Sequence, residues 1–266
     1  MAIITLLTDF GTQDEYVAVV KGVILGINPT VTLVDISHDV PPQGVGQAGD
    51  MLKAAFAWFP QGTIHVAVVD PDVGGRRAIL AASLGGHLFM APDNGLLTAV
   101  CADQPPDSLV RVENSRLFLH PVSATFHGRD IFAPVAAHLS LGMAMSELGP
   151  SICFSGAMRL ERKEPVEIPG RDIIGQVVGT DHFGNLRTNI DARMLDRMHE
   201  RYPGRGLVIH IGAHRIEGVS RHYAQKKTDG LIALVSSRNQ LEIAVNGGSA
   251  AQLFPKPVGL EVRVTV

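Results

Sequence analysis

The stretch Ala2-Ile3-Ile4-Thr5-Leu6-Leu7-Thr8-Asp9-Phe10-Gly11 shows the pattern that decides the fold. Its β-branched and apolar residues predict a buried strand, and the acidic residue and glycine that follow it predict a turn. Three later runs have the same form and end in polar residues: Val31–Val34 before Asp35, Thr63–Val69 before Asp70, and Leu88–Met90 before Pro92-Asp93-Asn94. The first part of the chain therefore follows one strand-and-turn pattern.

Helical segments separate these strands. Apolar residues recur at helical spacing over Tyr16–Ile27 and Gln47–Phe59, which predicts two helices. Strands that are apolar throughout and alternate with helices are typical of a parallel sheet covered on both faces. We therefore predict an α/β domain over residues 1–158, with a mostly parallel sheet flanked by helices. Because ligands bind at the carboxyl ends of such strands, the polar strand ends should line one crevice.

The pattern changes after residue 158. Charged residues and a proline in Leu160–Pro165 predict a linker over residues 159–170. Beyond it lie short strand-like runs separated by turn residues: Ile173–Val178, Leu207–Ile211, Gly230–Val235, Leu241–Val245 and Leu260–Val266. The last run alternates apolar and polar residues, which is typical of an antiparallel sheet with one face in solvent. We predict a smaller antiparallel β domain over residues 171–266.

The composition argues against several classes of protein. A net charge of −3 without a basic stripe, and only 5% aromatic residues, make a nucleic-acid partner unexpected. No apolar stretch reaches the ~18 residues that a membrane span needs, and Met1–Thr5 lacks a basic leader, so neither a membrane partner nor a signal peptide is expected. Cys101 and Cys153, without CxxC spacing, fit a reducing compartment. We expect a soluble cytoplasmic protein.

Two familiar motifs are present but poorly placed. Residues 44–49 match G-x-G-x-x-G, yet residues 38–43, with two prolines, separate them from the preceding strand, whereas a dinucleotide site needs the first glycine directly after it. His210 and His214 are four residues apart in a strand-like segment, where about 13 Å would separate them, too far for one zinc ion. We therefore expect no cofactor and no metal ligands.

A third set of residues offers chemistry without a simple motif. Asp70 stands at a strand end, and Arg77 follows it after a glycine-rich loop. His127 lies among glycine and charged residues in an otherwise apolar neighbourhood. Taken singly, Asp70 is explained as a cap or an arginine partner, and His127 as an ordinary loop residue. Together they supply an acid, a base and a cation, which is a set that can activate water.

Six ordered segments resemble the S-adenosylmethionine hydrolase (adenosine-forming) family, which is related to the fluorinases and chlorinases. These segments are Thr8–Gly11, Val69–Gly74, Ala91–Leu97, Thr125–Asp130, Asp181–Asn185 and Ser237–Asn239. The resemblance covers essentially the whole chain. It implies an α/β domain followed by a β domain, a homotrimer, and S-adenosyl-L-methionine held between neighbouring subunits, with hydrolysis to adenosine and L-methionine.

The resemblance also implies roles for particular residues. Asp70, Arg77 and His127 match the trio that holds and polarises the attacking water, with neutral His127 expected to accept its proton. The positions that match substrate-binding residues are Asp9 for the ribose hydroxyls, Phe183 and Asn185 for adenine, and Asp181, Ser237 and Arg238 for methionine. The chain has Asp72 where the family commonly has glycine. This added carboxylate either faces solvent or competes for Arg77.

Two other functions stay open. The first is a halide-dependent synthase that forms 5′-halo-adenosine, although Asp70 with His127, and the lack of an extra loop before Leu88, argue against it. The second is a non-catalytic sensor that binds adenosine or S-adenosylmethionine. The positive sulfur of a sulfonium substrate fits a crevice lined by carboxylates, whereas phosphate sites are lined by basic groups.

Overall fold

The computed structural model describes residues 2–168, 172–225 and 230–266. The chain divides into two compact units, the first running to Glu161 and the second starting at Arg162. Part of the segment expected to be a linker is a strand, because Val166–Ile168 (β7) pairs antiparallel with Asp172–Thr180 (β8). Residues 169 and 170 of that segment, and residue 171 at the expected start of the second domain, lie outside the described residues.

The first unit contains a mostly parallel sheet, as the sequence predicts. Its strands are β1 (Ile3–Thr8), β2 (Thr32–Ser37), β3 (Ile64–Val68), β4 (Ile79–Leu84), β5 (His87–Pro92) and β6 (Ser108–Arg111). Their order is β2-β1-β3-β5-β4-β6. The first four strands of that order run parallel, whereas β4 is antiparallel to both β5 and β6.

Helices flank this sheet. They are α1 (Tyr16–Ile27), α2 (Val45–Ala55), α3 (Leu96–Val100) and α4 (Ala133–Ser140). The bounds of α1 agree with the predicted ones, whereas α2 starts two residues earlier and gives way to a 3₁₀ turn over Phe56–Trp58. A π-helical turn over Gly128–Phe132 leads directly into α4.

The central strands β1, β3, β4 and β5 are buried on both faces, which explains why they are mostly apolar, whereas the edge strands β2 and β6 are partly exposed. Leu6 packs in the same cluster as Ile24 of α1, whereas its neighbour Leu7 packs with Leu52 of α2. Each fully buried side chain of this size stabilises the fold by about 1.5–3 kcal/mol. Because the four parallel strands point the same way, the residues after them, including Asp9 and Asp70, lie along one edge of the sheet.

The position of the G-x-G-x-x-G match agrees with the sequence argument against a dinucleotide site. Strand β2 ends at Ser37, and α2 begins at Val45, so the glycines are not in the turn after the strand. Gly46 and Gly49 lie inside α2. Among the described residues, no helix is both long enough and apolar enough to cross a membrane.

The second unit is built on an antiparallel sheet, as predicted. Besides β7 and β8 it contains β9 (Leu186–Asp191), α5 (Ala192–Arg201), β10 (Val208–Ile211), β11 (His214–Glu217), β12 (Leu231–Val235), β13 (Gln240–Val245) and β14 (Glu261–Thr265). The strand order is β11-β10-β14-β8-β9-β13-β12. Ile190, Ile209 and Val264 are among the side chains that form its buried core.

His210 and His214 do not share one strand, so that part of the sequence interpretation is wrong. His210 lies in β10 and His214 in β11, because the chain turns at Gly212-Ala213 and the two strands pair. His214 is opposite Ile211, the neighbour of His210, so the two imidazoles project from opposite faces of the sheet. His214 packs instead against the ring of Phe254.

Candidate active site

The structure brings together the three side chains expected to activate water. Asp70 follows β3, Arg77 precedes β4, and His127 directly precedes the π-helical turn. Arg77 Nε donates to Oδ1 and Oδ2 of Asp70 at 3.0 and 2.9 Å, and Arg77 Nη2 also donates to Oδ2. The same Nη2 lies 2.7 Å from His127 Nδ1. One guanidinium therefore joins the carboxylate to the imidazole.

Burial makes this cluster electrostatically strong. The side chains of Arg77 and Asp70 are only 6% and 4% exposed, so solvent screens their attraction weakly. Burial, reinforced by the positive charge of Arg77, lowers the pKa of His127, although Asp70 and Asp130 oppose this effect. His127 is therefore neutral at neutral pH.

The contact with Arg77 also fixes the tautomer of His127. A guanidinium can only donate hydrogen bonds, so Nδ1 of the neutral ring accepts, and the ring carries its proton on Nε2. This differs from the sequence expectation that His127 accepts a proton from water. The lone pair at Nδ1 faces Arg77, and Nε2 already holds a hydrogen.

A close approach between two loops holds the cluster together. Gly74, in the loop from Asp70 to Arg77, has a φ of 79°, a conformation that favours glycine. A Cβ at this position would collide with the carbonyl group of Ala124, three residues before His127. The two loops therefore meet where only a glycine fits.

Asp72 is exposed, and Arg77 pairs with Asp70, so the added carboxylate faces solvent.

Asp9 lines a cavity that is also lined by Phe126, the residue before His127. Its Oδ2 accepts a hydrogen bond from Gln43 N at 2.9 Å. The cavity measures about 540 Å³ and is lined by Asp9, Phe10, Glu15, Tyr16, Val19, Ser123, Thr125, Phe126 and Arg129. The rings of Phe10, Tyr16 and Phe126 meet at centroid distances of 5.1–6.1 Å. Phe126 directly precedes His127, so carboxylate, aromatic wall and imidazole belong to one region of the first unit.

In the second unit, three of the expected binding residues share the loop between β8 and β9. Asp181 Oδ1 accepts from the backbone N–H groups of Phe183 and Asn185 at 2.9 and 2.8 Å, and Oδ2 accepts from Asn185 Nδ2 at 2.9 Å. These bonds brace the loop and leave the Phe183 ring 73% exposed. A cavity of about 480 Å³ here is lined by Phe183, Asn185, Tyr223, Val245, Asn246, Gly247 and Gly248.

Ser237 and Arg238 are not part of that loop. They are exposed in the turn between β12 and β13. Leu186, at the start of β9, pairs with Ile243, whereas Asp191, at its end, pairs with Gln240. The turn and the loop therefore lie at opposite ends of β9, about 16 Å apart at the usual rise of a strand.

Sequence reasoning missed two side chains beside these residues. Tyr223 Oη donates to Glu242 Oε1 at 2.8 Å, and Glu242 is buried. Burial raises the pKa of Glu242, and Asp181 adds to this effect, whereas Tyr223, Arg187 and Arg238 oppose it. The strand-like run Leu241–Val245 offers a signal, since Glu242 is a charged residue within it.

Among the described residues, no three His, Cys, Asp or Glu side chains cluster in a way that could hold a metal ion.

The first unit is an α/β fold in which a buried carboxylate–guanidinium pair contacts a half-buried imidazole at the carboxyl edge of the parallel strands. The second is a β unit with an exposed aromatic loop. Together these features define the class of this protein. The family model described as the SAM hydroxide adenosyltransferase N-terminal domain matches residues 4–149. Its C-terminal counterpart matches residues 175–263. The chain therefore belongs to the SAM hydroxide adenosyltransferase family.

Similar proteins extend over the full chain. A protein from Salinispora arenicola named (R)-S-adenosyl-L-methionine hydrolase is 36% identical, with 98% of this chain and 97% of that protein covered. A fluorinase from Nocardia brasiliensis is 29% identical, with 99% and 97% covered. The crystal structure of an uncharacterized conserved protein from Thermotoga maritima matches with a TM-score of 0.90 and 35% identity, covering 99% of this chain and all of that one.

Proposed function

We propose that this protein hydrolyses (R)-S-adenosyl-L-methionine to adenosine and L-methionine. The observation that carries the proposal is the contact of His127 with the buried pair of Asp70 and Arg77. Membership of the SAM hydroxide adenosyltransferase family supports it, as do the full-length relatives named as hydrolases of the (R) sulfonium. The fluorinase relative is less similar, at 29% identity.

The reaction is a nucleophilic substitution at the ribose C5′. A bond forms between the water oxygen and C5′ while the C5′–S bond breaks, and sulfur keeps the electron pair to become the neutral thioether of methionine. A sulfonium is a good leaving group without protonation, so no acid is needed on that side. The catalytic task is to hold water in line about 3 Å from C5′ and to take its proton.

The geometry suggests how the three residues divide this task. Arg77 places a positive charge where negative charge develops on the water oxygen. His127 orients that oxygen through its Nε2–H, because Nδ1 is taken by Arg77. Asp70 is the one anion of the three and receives the proton. Removing one such group typically lowers the rate ~10² to 10⁴-fold.

The remaining residues are proposed to bind the substrate. Asp9 binds the ribose hydroxyls, and the exposed ring of Phe183 stacks on adenine beside Asn185. Ser237 and Arg238 bind the methionine carboxylate, and Asp181 binds its ammonium group through lone pairs that the loop bonds leave free. Asp181 and Arg238 both act electrostatically on Glu242, which lies on β13 between their two turns, and this supports side chains that reach one amino acid although the backbone turns lie about 16 Å apart.

The proposal includes a homotrimer with the substrate at subunit interfaces and a cytoplasmic location, both of which the family resemblance implies. Light scattering of the purified protein at several concentrations tests the assembly. A mass of three chains supports it, and a stable monomer that turns over substrate contradicts it.

Incubation with S-adenosylmethionine in ¹⁸O-water tests the reaction. We expect the label on the adenosine 5′-hydroxyl, with faster turnover of the (R) than the (S) sulfonium epimer. Methylthioadenosine as the product, or no product at all, contradicts the proposal. Adding chloride or fluoride and analysing for 5′-halo-adenosine distinguishes a halide-dependent synthase, and tight binding without product distinguishes a sensor. Asp70→Asn serves as the matched inactive control, since its carboxamide keeps the size of the side chain.

A further inference from the structure

A chain of polar side chains that starts at exposed Asp35 and is buried at His38 and Thr8 lies beside Asp9 and is not used by the proposed mechanism. His38 is buried where the chain leaves β2, and its Nδ1 lies 2.8 Å from Thr8 Oγ1 at the end of β1. On the other side of the ring, His38 Nε2 lies 3.0 Å from Asp35 Oδ1. Thr8 is also buried. The three side chains form a continuous polar path from Asp35 to Thr8.

The hydrogen-bond acceptors along this path determine which atom carries the proton at each contact. The contact of His38 Nε2 with Asp35 is an electrostatic one and not an aligned hydrogen bond, but a ring lone pair 3.0 Å from a carboxylate would be repelled, so Nε2 carries the proton on that side. With the ring proton on Nε2, Nδ1 accepts the hydroxyl proton of Thr8. That leaves Thr8 Oγ1 as the acceptor for the backbone N–H of Phe10, which approaches it at 3.3 Å. The path therefore ends on the residue that follows Asp9.

The backbone of His38 also contacts the turn that carries Asp9. Gly11 N donates to the carbonyl oxygen of His38 at 2.9 Å. With the bonds through Thr8 and Phe10, His38 contacts the chain both before and after Asp9. This placement follows from an irregular register, since Leu6 pairs with Asp35 but Leu7 pairs with Ser37. The extra residue in β2 brings His38 level with Thr8, and such bulges often re-aim side chains near active sites.

We propose that His38 is a positioning residue for substrate binding. Through Thr8 and Phe10 it fixes the turn that carries Asp9, and thereby the direction in which the Asp9 carboxylate meets the ribose hydroxyls. This inference rests on the proposed function. The role of His38 differs from that of Asp70, because His38 affects binding of the adenosyl group and not the attacking water.

The same sheet contains a closely matched control. Thr5, on β1, lies 2.7 Å through its Oγ1 from Nδ1 of His65, on the neighbouring strand β3, and both residues are buried. This pair repeats the threonine–histidine chemistry of Thr8 and His38. It lies three residues earlier on the strand, about 10 Å from Thr8. Substitutions there remove an equivalent bond without touching the turn that holds Asp9.

The test compares Thr8→Val and His38→Gln with Thr5→Val and His65→Gln. Calorimetry gives the Kd for adenosine, kinetics with S-adenosylmethionine give KM and kcat, and circular dichroism checks folding. We expect the first two variants to raise Kd and KM about tenfold, which corresponds to about 1.4 kcal/mol, with a smaller fall in kcat. The double variant should be no worse than either single one, because both break the same path. The two control variants should bind adenosine as the wild type does.

The outcomes separate this inference from the proposed function. A wild-type protein that neither binds adenosine nor releases it from S-adenosylmethionine contradicts both. A wild-type protein that turns over normally, with Thr8→Val unchanged in Kd or no weaker than Thr5→Val, overturns the positioning role alone. Thr8→Val keeps the side-chain shape, so it decides the question even where His38→Gln does not fold.

Discussion

Acid should destabilise the first unit through one buried histidine, His65. This residue is fully buried, its ring stacks on Phe89 at 5.0 Å, and its two nitrogens face Thr5 and His87. Burial, followed by the charge on His87, lowers the pKa of His65 from 6.5 to about 3. Burial lowers the pKa of His87 as well. The perturbation is a change from pH 7 to pH 5, in the wild type and in His65→Gln.

The sign and size of the effect follow from these pKa values. Above pH 6.5 neither the folded nor the unfolded chain protonates this residue, so its contribution to stability is fully present. Below pH 6.5 the unfolded chain binds a proton that the folded chain refuses until about pH 3. The free energy of unfolding therefore falls by about 1.4 kcal/mol per pH unit, or about 2 kcal/mol at pH 5.

Urea denaturation at both pH values measures this loss. The wild type should lose about 2 kcal/mol or more between pH 7 and pH 5, since His87 acts in the same direction. His65→Gln should be less stable at pH 7, yet it should lose clearly less on acidification. Equal losses in the two proteins would show that carboxylates elsewhere, and not the buried imidazole, control the acid response.

Three other predictions concern the site and its supporting loops. Arg77→Lys should lower kcat ~10² to 10³-fold with little change in the Kd for adenosine. The reason is that an ammonium group cannot bond both oxygens of Asp70 and also reach His127. An equal loss of adenosine binding would contradict this prediction. Since burial and Arg77 lower the pKa of His127, a pH profile of kcat should stay flat down to pH 6.5 and fall only below it, and a fall starting above pH 7 would contradict the neutral imidazole. Gly95→Ala should destabilise the protein by about 1–3 kcal/mol, because φ is +93° and the new Cβ would lie 2.7 Å from the backbone nitrogen of Leu160. The control Gly26→Ala, in α1 with nothing within 4 Å, should instead raise stability by about 0.5–1 kcal/mol in thermal unfolding.

The parallel core of the first unit could be predicted because its signals are local. The run before Asp9 and the helical spacing of Tyr16–Ile27 each specify an element without reference to the rest of the chain. Strand β4 (Ile79–Leu84) is absent from the predicted elements, and its apolar residues do not give its direction, because a strand buried on both faces is apolar in either direction. Its antiparallel pairing depends on the tight turn at Gly85-Gly86, which joins it to β5.

In the site, too, some features could be predicted from the sequence and others could not. The proximity of Asp70, Arg77 and His127 could be anticipated, because loops at the carboxyl edge of a parallel sheet converge. The proton position on His127 could not, since it depends on which nitrogen faces the guanidinium. The role of His38 was equally out of reach, because the bulge that aligns it with Thr8 leaves no mark in the residue pattern.

The contact between Gly74 and Ala124 has a practical consequence for engineering. A library that seeks to exchange the nucleophile, for instance water for a halide, needs new side chains around His127 while the two loops keep their spacing. Randomising position 74 would mostly yield inactive clones, because even a methyl group there pushes the His127 segment away from Arg77. Diversity is better placed at Asp72, whose side chain is exposed.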